Sequence, residues 1–362
     1  MSLHIGLVGP LPPPFGGMAN QTGLLAELLR SEGEDVSFIQ TNADYRPLWV
    51  GRIPWVRAFF RLISYIFSLR RRVSRCDIVH IMANSGWSWH LFATPAIWLA
   101  KIYGKPVVVN YHGGEAEKFL SGSHKIINLS MRQAASLIVP SGFLKAVFER
   151  FGISATVIPN IIDIHRFNTH STHRTIRRHI LVARNLEYIY DNETAIRAFA
   201  IVNRAYPDAT LTIAGSGPLA TSLSILVESL GLTSVVKFTG KLDRDDMAQA
   251  YGCADIALNP SLVDNMPVSI LEALASGVPV VTTSVGGIPF IVEHEHTALL
   301  VPPKSPGEMA DAILRLMRDS VLAEKLASNG RSDVEKYTWE QVWPALKLVY
   351  CSLIPVDCQM EC

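Results

Sequence analysis

Short runs rich in Val and Ile alternate with longer amphipathic stretches along this chain, and the alternation starts twice. Residues 4–8, 35–39, 77–81, 106–110, 136–139 and 156–158 have the length and β-branched content of buried strands. Residues 22–31 and 91–103 show helical spacing between them. After the polar segment 167–178, rich in His, Thr and Arg, a second strand set is expected at 179–182, 209–214, 235–238, 256–258 and 278–282. Helices such as 194–205, 219–230 and 305–317 separate its members. A strand apolar on both faces needs cover on both, so the pattern predicts parallel sheets with helices on either side. The expectation is an α/β chain of two doubly wound domains, 1–166 and 167–339. A length of 362 residues agrees, at roughly 150 residues per domain.

Charge removes one class of function. Lys plus Arg is 33 and Asp plus Glu is 32, a net charge of +1, which argues against a dedicated nucleic-acid binder. The balance is uneven, because the first half holds the excess of basic residues and the second the excess of acids. That asymmetry points to an anionic partner or surface for the first half. Cys76, Cys253, Cys351, Cys358 and Cys362 are scattered without a CxxC pair, so no disulfide framework is expected and a reducing compartment fits. The segment 1–9 lacks a basic leader, and no apolar run approaches the ~18–20 residues of a membrane span. A cytoplasmic protein is the expectation.

In open parallel sheets, ligands bind where strand carboxyl ends feed helix N-termini. The loop after the first strand ends in Gly16-Gly17 just before a helix, so its backbone N–H groups could approach an anion closely. The GxGxxG spacing is absent, and a plain Pro/Gly-rich turn is the alternative. Asp264-Asn265-Met266-Pro267-Val268 follows a strand, Pro267 suits a helix start, and Glu272 falls within the helix. Carboxylates accept from vicinal hydroxyls, and free N–H groups suit phosphate or sugar oxygens; a sugar nucleotide needs both. An acidic cap plus an ordinary helical Glu is the other reading. Arg184 follows the strand 179–182, where a guanidinium suits a diphosphate, and His112 occupies a similar place after 106–110. Gly215-Ser216-Gly217 forms a tight strand-to-helix turn. Asp243-Arg244-Asp245 mimics a metal-binding DxD but reads better as an N-cap with first-turn acids. The sets His165, His170, His173 and His294, His296 lack zinc spacing, so no metal is expected.

Asn259-Pro260-Ser261, then residues 264–272, then 273–281 together resemble the GT4 family of retaining glycosyltransferases. Gly16-Gly17, Ile158-Pro159-Asn160 with Asp163, Gly215-Ser216-Gly217-Pro218, Phe238-Thr239-Gly240 and Val285-Gly286-Gly287-Ile288-Pro289 extend the likeness over nearly the whole chain. The resemblance implies the GT-B fold, two Rossmann-like domains facing across a cleft, with the C-terminal helix 340–362 crossing back onto the first. It implies that Glu272 holds the ribose, that Asp264 and the backbone of Asn265, Met266, Pro267 and Val268 contact the transferred sugar, and that Arg184 neutralises the leaving diphosphate. Gly17 beside Gly16 would offer its N–H to that phosphate, His112 would lie next to the sugar, and backbone near Gly215 and Lys241 would complete the nucleotide site. The nucleotide sugar is a substrate, and no cofactor is implied.

Four departures stand out. The first acid is Asp264 rather than Glu, Ile189 and Tyr190 stand where a lysine is usual, Ile161 replaces a glycine, and Phe290 replaces a frequent acid. The implied reaction is metal-independent hexosyl transfer with retention, from a UDP-sugar or GDP-sugar to a glycan or lipid-linked acceptor in cell-surface polysaccharide synthesis. Residues 55–73 are apolar except for a stripe of Arg57, Arg61, Ser64 and Ser68, followed by Arg70-Arg71-Arg72. That pattern suits peripheral contact with an anionic membrane, and a buried helix is the alternative. A sugar-nucleotide epimerase and a catalytically silent nucleotide-sugar-binding subunit are the rival functions.

Overall fold

The computed structural model describes residues 2–13, 16–43, 54–167 and 178–354, with backbone only for 54–59 and 123–126. Most of the polar segment 167–178, together with Pro14, His170, His173, Cys358, Cys362, the side chain of Arg57 and the end of 340–362, lies outside the described residues. The chain divides into one unit of Met1–Ile161 with Trp339–Cys362 and a second of Ile162–Thr338.

The first unit holds a parallel sheet of β1 (His4–Gly9), β2 (Asp35–Gln40), β3 (Ile78–Ala83), β4 (Val107–Tyr111), β5 (Ser136–Val139) and β6 (Thr156–Val157), in the order β2-β1-β3-β4-β5-β6. The alternation of side chains explains why its strands are apolar throughout. Ile78 and Met82 of β3 join a core with Leu25 and Leu29 on one face, while Val79, Ile81 and Ala83 join Leu69, Trp89 and Ile97 on the other. The terminal helix Trp339–Cys351 packs Val342, Leu346 and Tyr350 into the first of these cores.

The second unit holds β7 (His179–Ala183), β8 (Thr210–Ala214), β9 (Val236–Gly240), β10 (Ile256–Asn259), β11 (Val280–Thr283) and β12 (Leu299–Val301), in the order β12-β11-β10-β7-β8-β9. All its named pairings are parallel. Ile180 and Val182 face one core and Leu181 the other. Each sheet starts in the middle, adds strands to one side and then returns to the other. This puts a switch point between β1 and β3 and another between β7 and β10.

Three expectations shift. The first helix begins at Gly17 rather than residue 22, because its opening turn carries glycine and the polar Asn20 and Gln21 around Met18 and Ala19 and so shows no clear apolar period. Strand β12 (Leu299–Val301), directly followed by Pro302-Pro303, is not among the strands expected from the sequence. Cys351 is disulfide-bonded while Cys76 and Cys253 are free thiols, against the expectation of unpaired cysteines.

Candidate active site

Val182 of β7 pairs with Leu258 of β10, so the residues leaving these two strands emerge side by side at the second switch point. Arg184 leaves β7 there. Its Nη2 donates to the Asp264 carboxylate, and its Nη1 lies 3.2 Å from Ser269 Oγ. The two ionised side chains are only 9% and 14% exposed. The ring of Tyr190 covers the guanidinium, with its centroid 4.0 Å from the central carbon. Asp264 also accepts from Asn265 N at 3.0 Å. Ser261 Oγ lies 2.6 Å from Asn259 Oδ1 and 3.3 Å from Asp264 Oδ2, and its single proton favours the shorter contact.

Glycines fix this geometry by letting backbones touch. A Cβ on Gly215 would stand 2.0 Å from the Arg184 carbonyl, and one on Gly217 would stand 2.4 Å from that of Leu186. Gly286, at φ +53°, would meet the Asp264 carbonyl at 2.1 Å, and Gly287 N donates to the same oxygen at 2.9 Å. The Gly-Gly pair at 286–287 therefore clamps the acidic loop, a role its family motif alone does not reveal.

Past Asp264, Asn265 and Met266 are buried. Pro267 caps the helix Val268–Ala275. Glu272 lies in that helix, and burial pushes its carboxyl up to about 7, against the pull of Tyr251, Arg184 and Arg244. The Tyr251 hydroxyl lies against this carboxyl and 2.8 Å from the Ser269 carbonyl. Lys241 is exposed just after β9. Arg184, Asp264, Ser269 and Glu272 are thus brought together beyond the carboxyl ends of β7 and β10. Ser269, Tyr251 and Arg244 are neighbours that sequence reasoning did not single out.

The first unit presents a separate set. Gly16 precedes the helix Gly17–Ser31 in extended backbone, and a Cβ on Gly16 or Gly17 would meet nothing within 4 Å. Neither crowding nor a positive φ demands glycine here, so the gain lies in uncovered N–H groups at the start of a 15-residue helix. His112 follows β4, its N donating to the Ala83 carbonyl at 2.9 Å. Burial lowers its imidazole to about 4, so it is neutral near pH 7. It lines a cavity of about 20 Å³ with Gln21, Asn110 and Asn160, large enough for roughly one water. Gln21 clamps the backbone of Ile161 through both amide atoms, at 2.8 and 3.0 Å. Nothing in the sequence pattern marked that residue.

Asp243 is an N-cap, accepting from the N–H groups of Asp245 and Asp246 at 3.0 and 2.9 Å. His294 accepts from Leu300 N at 3.0 Å. Among the described residues no three His, Cys, Asp or Glu side chains gather as a metal site.

Comparison with known proteins places this geometry in a family. The model for glycosyl transferases group 1 matches residues 166–333, and that for glycosyltransferase family 4 matches 15–166. Glycogen synthase of Mycobacterium tuberculosis is 30% identical over 290 residues, covering 76% of this chain and 69% of that protein. Sulfoquinovosyl transferase SQD2 of Arabidopsis thaliana is 23% identical over 91% of this chain and 69% of its own length. Among solved structures, Anabaena HepE in complex with UDP-glucose superposes with a TM-score of 0.77 at 18% identity, covering 97% of this chain and 100% of that one. Sucrose-phosphate synthase from Thermosynechococcus elongatus gives 0.76 at 21%, covering 97% and 99%. These likenesses establish the GT-B fold, and with two successive family models and a relative matched over most of its length, this chain belongs to the group 1, family 4 glycosyltransferases.

Proposed function

We propose that the protein transfers a hexosyl group with retained configuration from a nucleoside-diphosphate sugar, a UDP-sugar before a GDP-sugar, to an acceptor hydroxyl. The observation that carries this reading is the convergence of Arg184, Ser269 and the N-terminus of the helix Val268–Ala275 around Asp264. As a glycosidic bond breaks, negative charge grows on the leaving diphosphate. A preoriented guanidinium and backbone N–H donors stabilise that charge without reorganising, the role a metal ion plays in other transferases. Glu272 accepts from ribose hydroxyls, and Asp264 exchanges part of its bond to Arg184 for a sugar hydroxyl. The first unit offers N–H groups at Gly16 and Gly17 and a neutral His112. The UDP-glucose complex of HepE supports the choice of uridine.

The acceptor in this reading is lipid-linked or a growing surface polysaccharide, met by a peripheral protein at the cytoplasmic face of a membrane. The helix Pro54–Val73 supports it. This helix buries Tyr65, Leu69 and Val73 yet exposes Ile63 by 51% and Phe67 by 69%. Arg61 and Ser68, expected on the solvent stripe, are partly buried instead. An apolar outer face ending in Arg70-Arg71-Arg72 matches an anionic lipid surface. No helix among the described residues is long and apolar enough to cross a membrane.

Calorimetric titration with UDP-, GDP- and ADP-sugars, with nucleoside-diphosphate release followed in the same samples, tests the proposal. Binding of one donor class, lost in Glu272→Ala, and acceptor-dependent release are expected. Release without an acceptor dependence would favour an epimerase, and binding without turnover would favour a silent subunit.

A further inference from the structure

Tyr190 is held with unusual firmness for a loop residue. Its N–H donates to the Glu187 carbonyl at 3.1 Å, and the neighbouring Ile189 carbonyl accepts from Leu262 N at 2.8 Å. That second bond ties the turn to the loop carrying Asp264. On its other side, Asp191 adopts φ +40° and caps the helix Asn192–Ala205, its Oδ2 accepting from Thr194 Oγ1 at 2.7 Å. A non-glycine residue in the left-handed region persists only where its surroundings over-determine it. The Asn192 side chain closes the loop by donating to the Asn185 carbonyl at 2.9 Å. The segment between Arg184 and the helix is therefore pinned at both ends, and its product is an aromatic ring laid over the guanidinium at 4.0 Å.

Arg184 needs such a hold. Protein acceptors engage its two terminal nitrogens, whereas its Nε is buried without a hydrogen-bond partner among the described residues. Two bonds at one edge leave a planar guanidinium free to tilt. A ring on its face removes that freedom without offering the Nε–H a competing acceptor. Burial raises the Tyr190 phenol above its ordinary value, so the group remains neutral and adds no competing charge.

We propose that Tyr190 is the positioning residue of Arg184, its ring fixing the guanidinium plane so that the Nε–H, which no protein acceptor among the described residues engages, is left to bond an anionic oxygen of the donor diphosphate. This rests on the transferase reading, yet part of its test does not. In the full chain labelled with [15N]arginine, the Arg184 Nε–H resonance is assigned by its loss in Arg184→Ala, and inorganic pyrophosphate is the anion probe. Tyr190→Phe retains the ring, and Tyr190→Leu retains apolar bulk without a π face. Expected are an unchanged resonance and pyrophosphate affinity within about twofold in Tyr190→Phe. Tyr190→Leu should show a displaced resonance and roughly tenfold weaker binding. With UDP-glucose, Tyr190→Leu should lower kcat about tenfold, change donor KM less than threefold, and add no loss to Arg184→Ala.

A resonance unmoved in Tyr190→Leu, equal losses in both variants, or losses that multiply with Arg184→Ala would each overturn the proposal. So would a gain in kcat from Tyr190→Lys, which would make a second cation the requirement. If UDP-glucose is not turned over, the transferase reading is at fault with that donor, and the resonance with pyrophosphate decides the role of Tyr190 by itself.

Discussion

Arg184 and Asp264, 80 residues apart in sequence, bond to each other at the switch point of the second sheet. Each is the other's main counter-charge, and both are largely withdrawn from water. Breaking such a pair by removing one member leaves an uncompensated buried charge, at a cost of about 3–5 kcal/mol. The pair is also a store of orientation, since the carboxylate and Ser269 both hold the guanidinium. In the proposed reaction the donor would share these groups instead of ordering them afresh.

Removing the cation should act on turnover. Arg184→Ala is expected to lower kcat by about 10²–10³, with a smaller rise in donor KM, because the lost contact strengthens as the diphosphate leaves. Arg184→Lys retains charge but not the planar fork and should recover only part of the loss. Steady-state kinetics on the active donor decide it, and a pure KM effect would rule the role out.

Removing the carboxylate should split binding from turnover. In Asp264→Asn the guanidinium keeps a hydrogen-bond partner but loses its counter-charge, so free nucleoside diphosphate should bind more tightly. Turnover should fall, because the sugar loses its carboxylate contact. Calorimetry with UDP beside kcat on the same variant checks this, and weaker UDP binding would count against it.

The placement of the second unit's candidate residues was legible because position in a strand-helix alternation is a one-dimensional property. Arg184 after β7 and Asp264 after β10 follow from where apolar runs stop. What surrounds them was not legible, since Ser269, Tyr251 and the face of Tyr190 depend on how loops fold over one another. Tyr190 in particular reads in sequence as a missing lysine, and its ring over Arg184 is visible only in three dimensions. The helix Pro54–Val73 was recognisable from its period, but a period does not say which face turns inward. There Tyr65, Leu69 and Val73 took the core, leaving Phe67 outside. Gln21 was silent for a simpler reason, because its partner Ile161 is 140 residues away.

With Glu272 holding the ribose as proposed, nucleotide binding should depend on pH. Its folded-state value of about 7 lies above the ordinary 4.5. The stability it contributes is full below pH 4.5 and is lost as pH rises through 7. Ribose hydroxyls donate to the ionised form, so nucleotide affinity should move the opposite way, rising between about pH 6 and 8. Glu272→Gln should flatten that rise and bind about 1.5–3 kcal/mol more weakly at pH 8, having lost charge-assisted bonds. UDP titrations across this range provide the check, and a flat wild-type profile would exclude the linkage.

His80 and His112 should make the first unit acid-labile. Burial lowers them to about 3 and about 4, from an ordinary value of 6.5. Their contribution is present above pH 6.5 and is lost as pH falls toward those values. His80 Nδ1 lies 2.7 Å from the Tyr350 hydroxyl, so protonation acts where the terminal helix is anchored. His80→Gln should lower Tm at pH 7 yet make its fall between pH 6.5 and 4 shallower, as followed by thermal melts. An unchanged slope would assign the acid response elsewhere.

The outward face of Pro54–Val73 sets the last expectation. Two exposed side chains such as Ile63 and Phe67 would each recover roughly 1.5–3 kcal/mol on full transfer out of water, which is weak anchoring taken alone. Arginines near an anionic surface add about 1 kcal/mol each and are screened by salt. The two contributions together predict reversible binding to anionic liposomes at low salt, weakened by added salt. Ile63→Ser with Phe67→Ser should abolish pelleting while nucleotide binding, in which neither exposed side chain is proposed to take part, stays as it was. Wild-type protein that fails to pellet with anionic vesicles at low salt would remove the lipid surface from the proposal, and the acceptor would then be sought among soluble glycans.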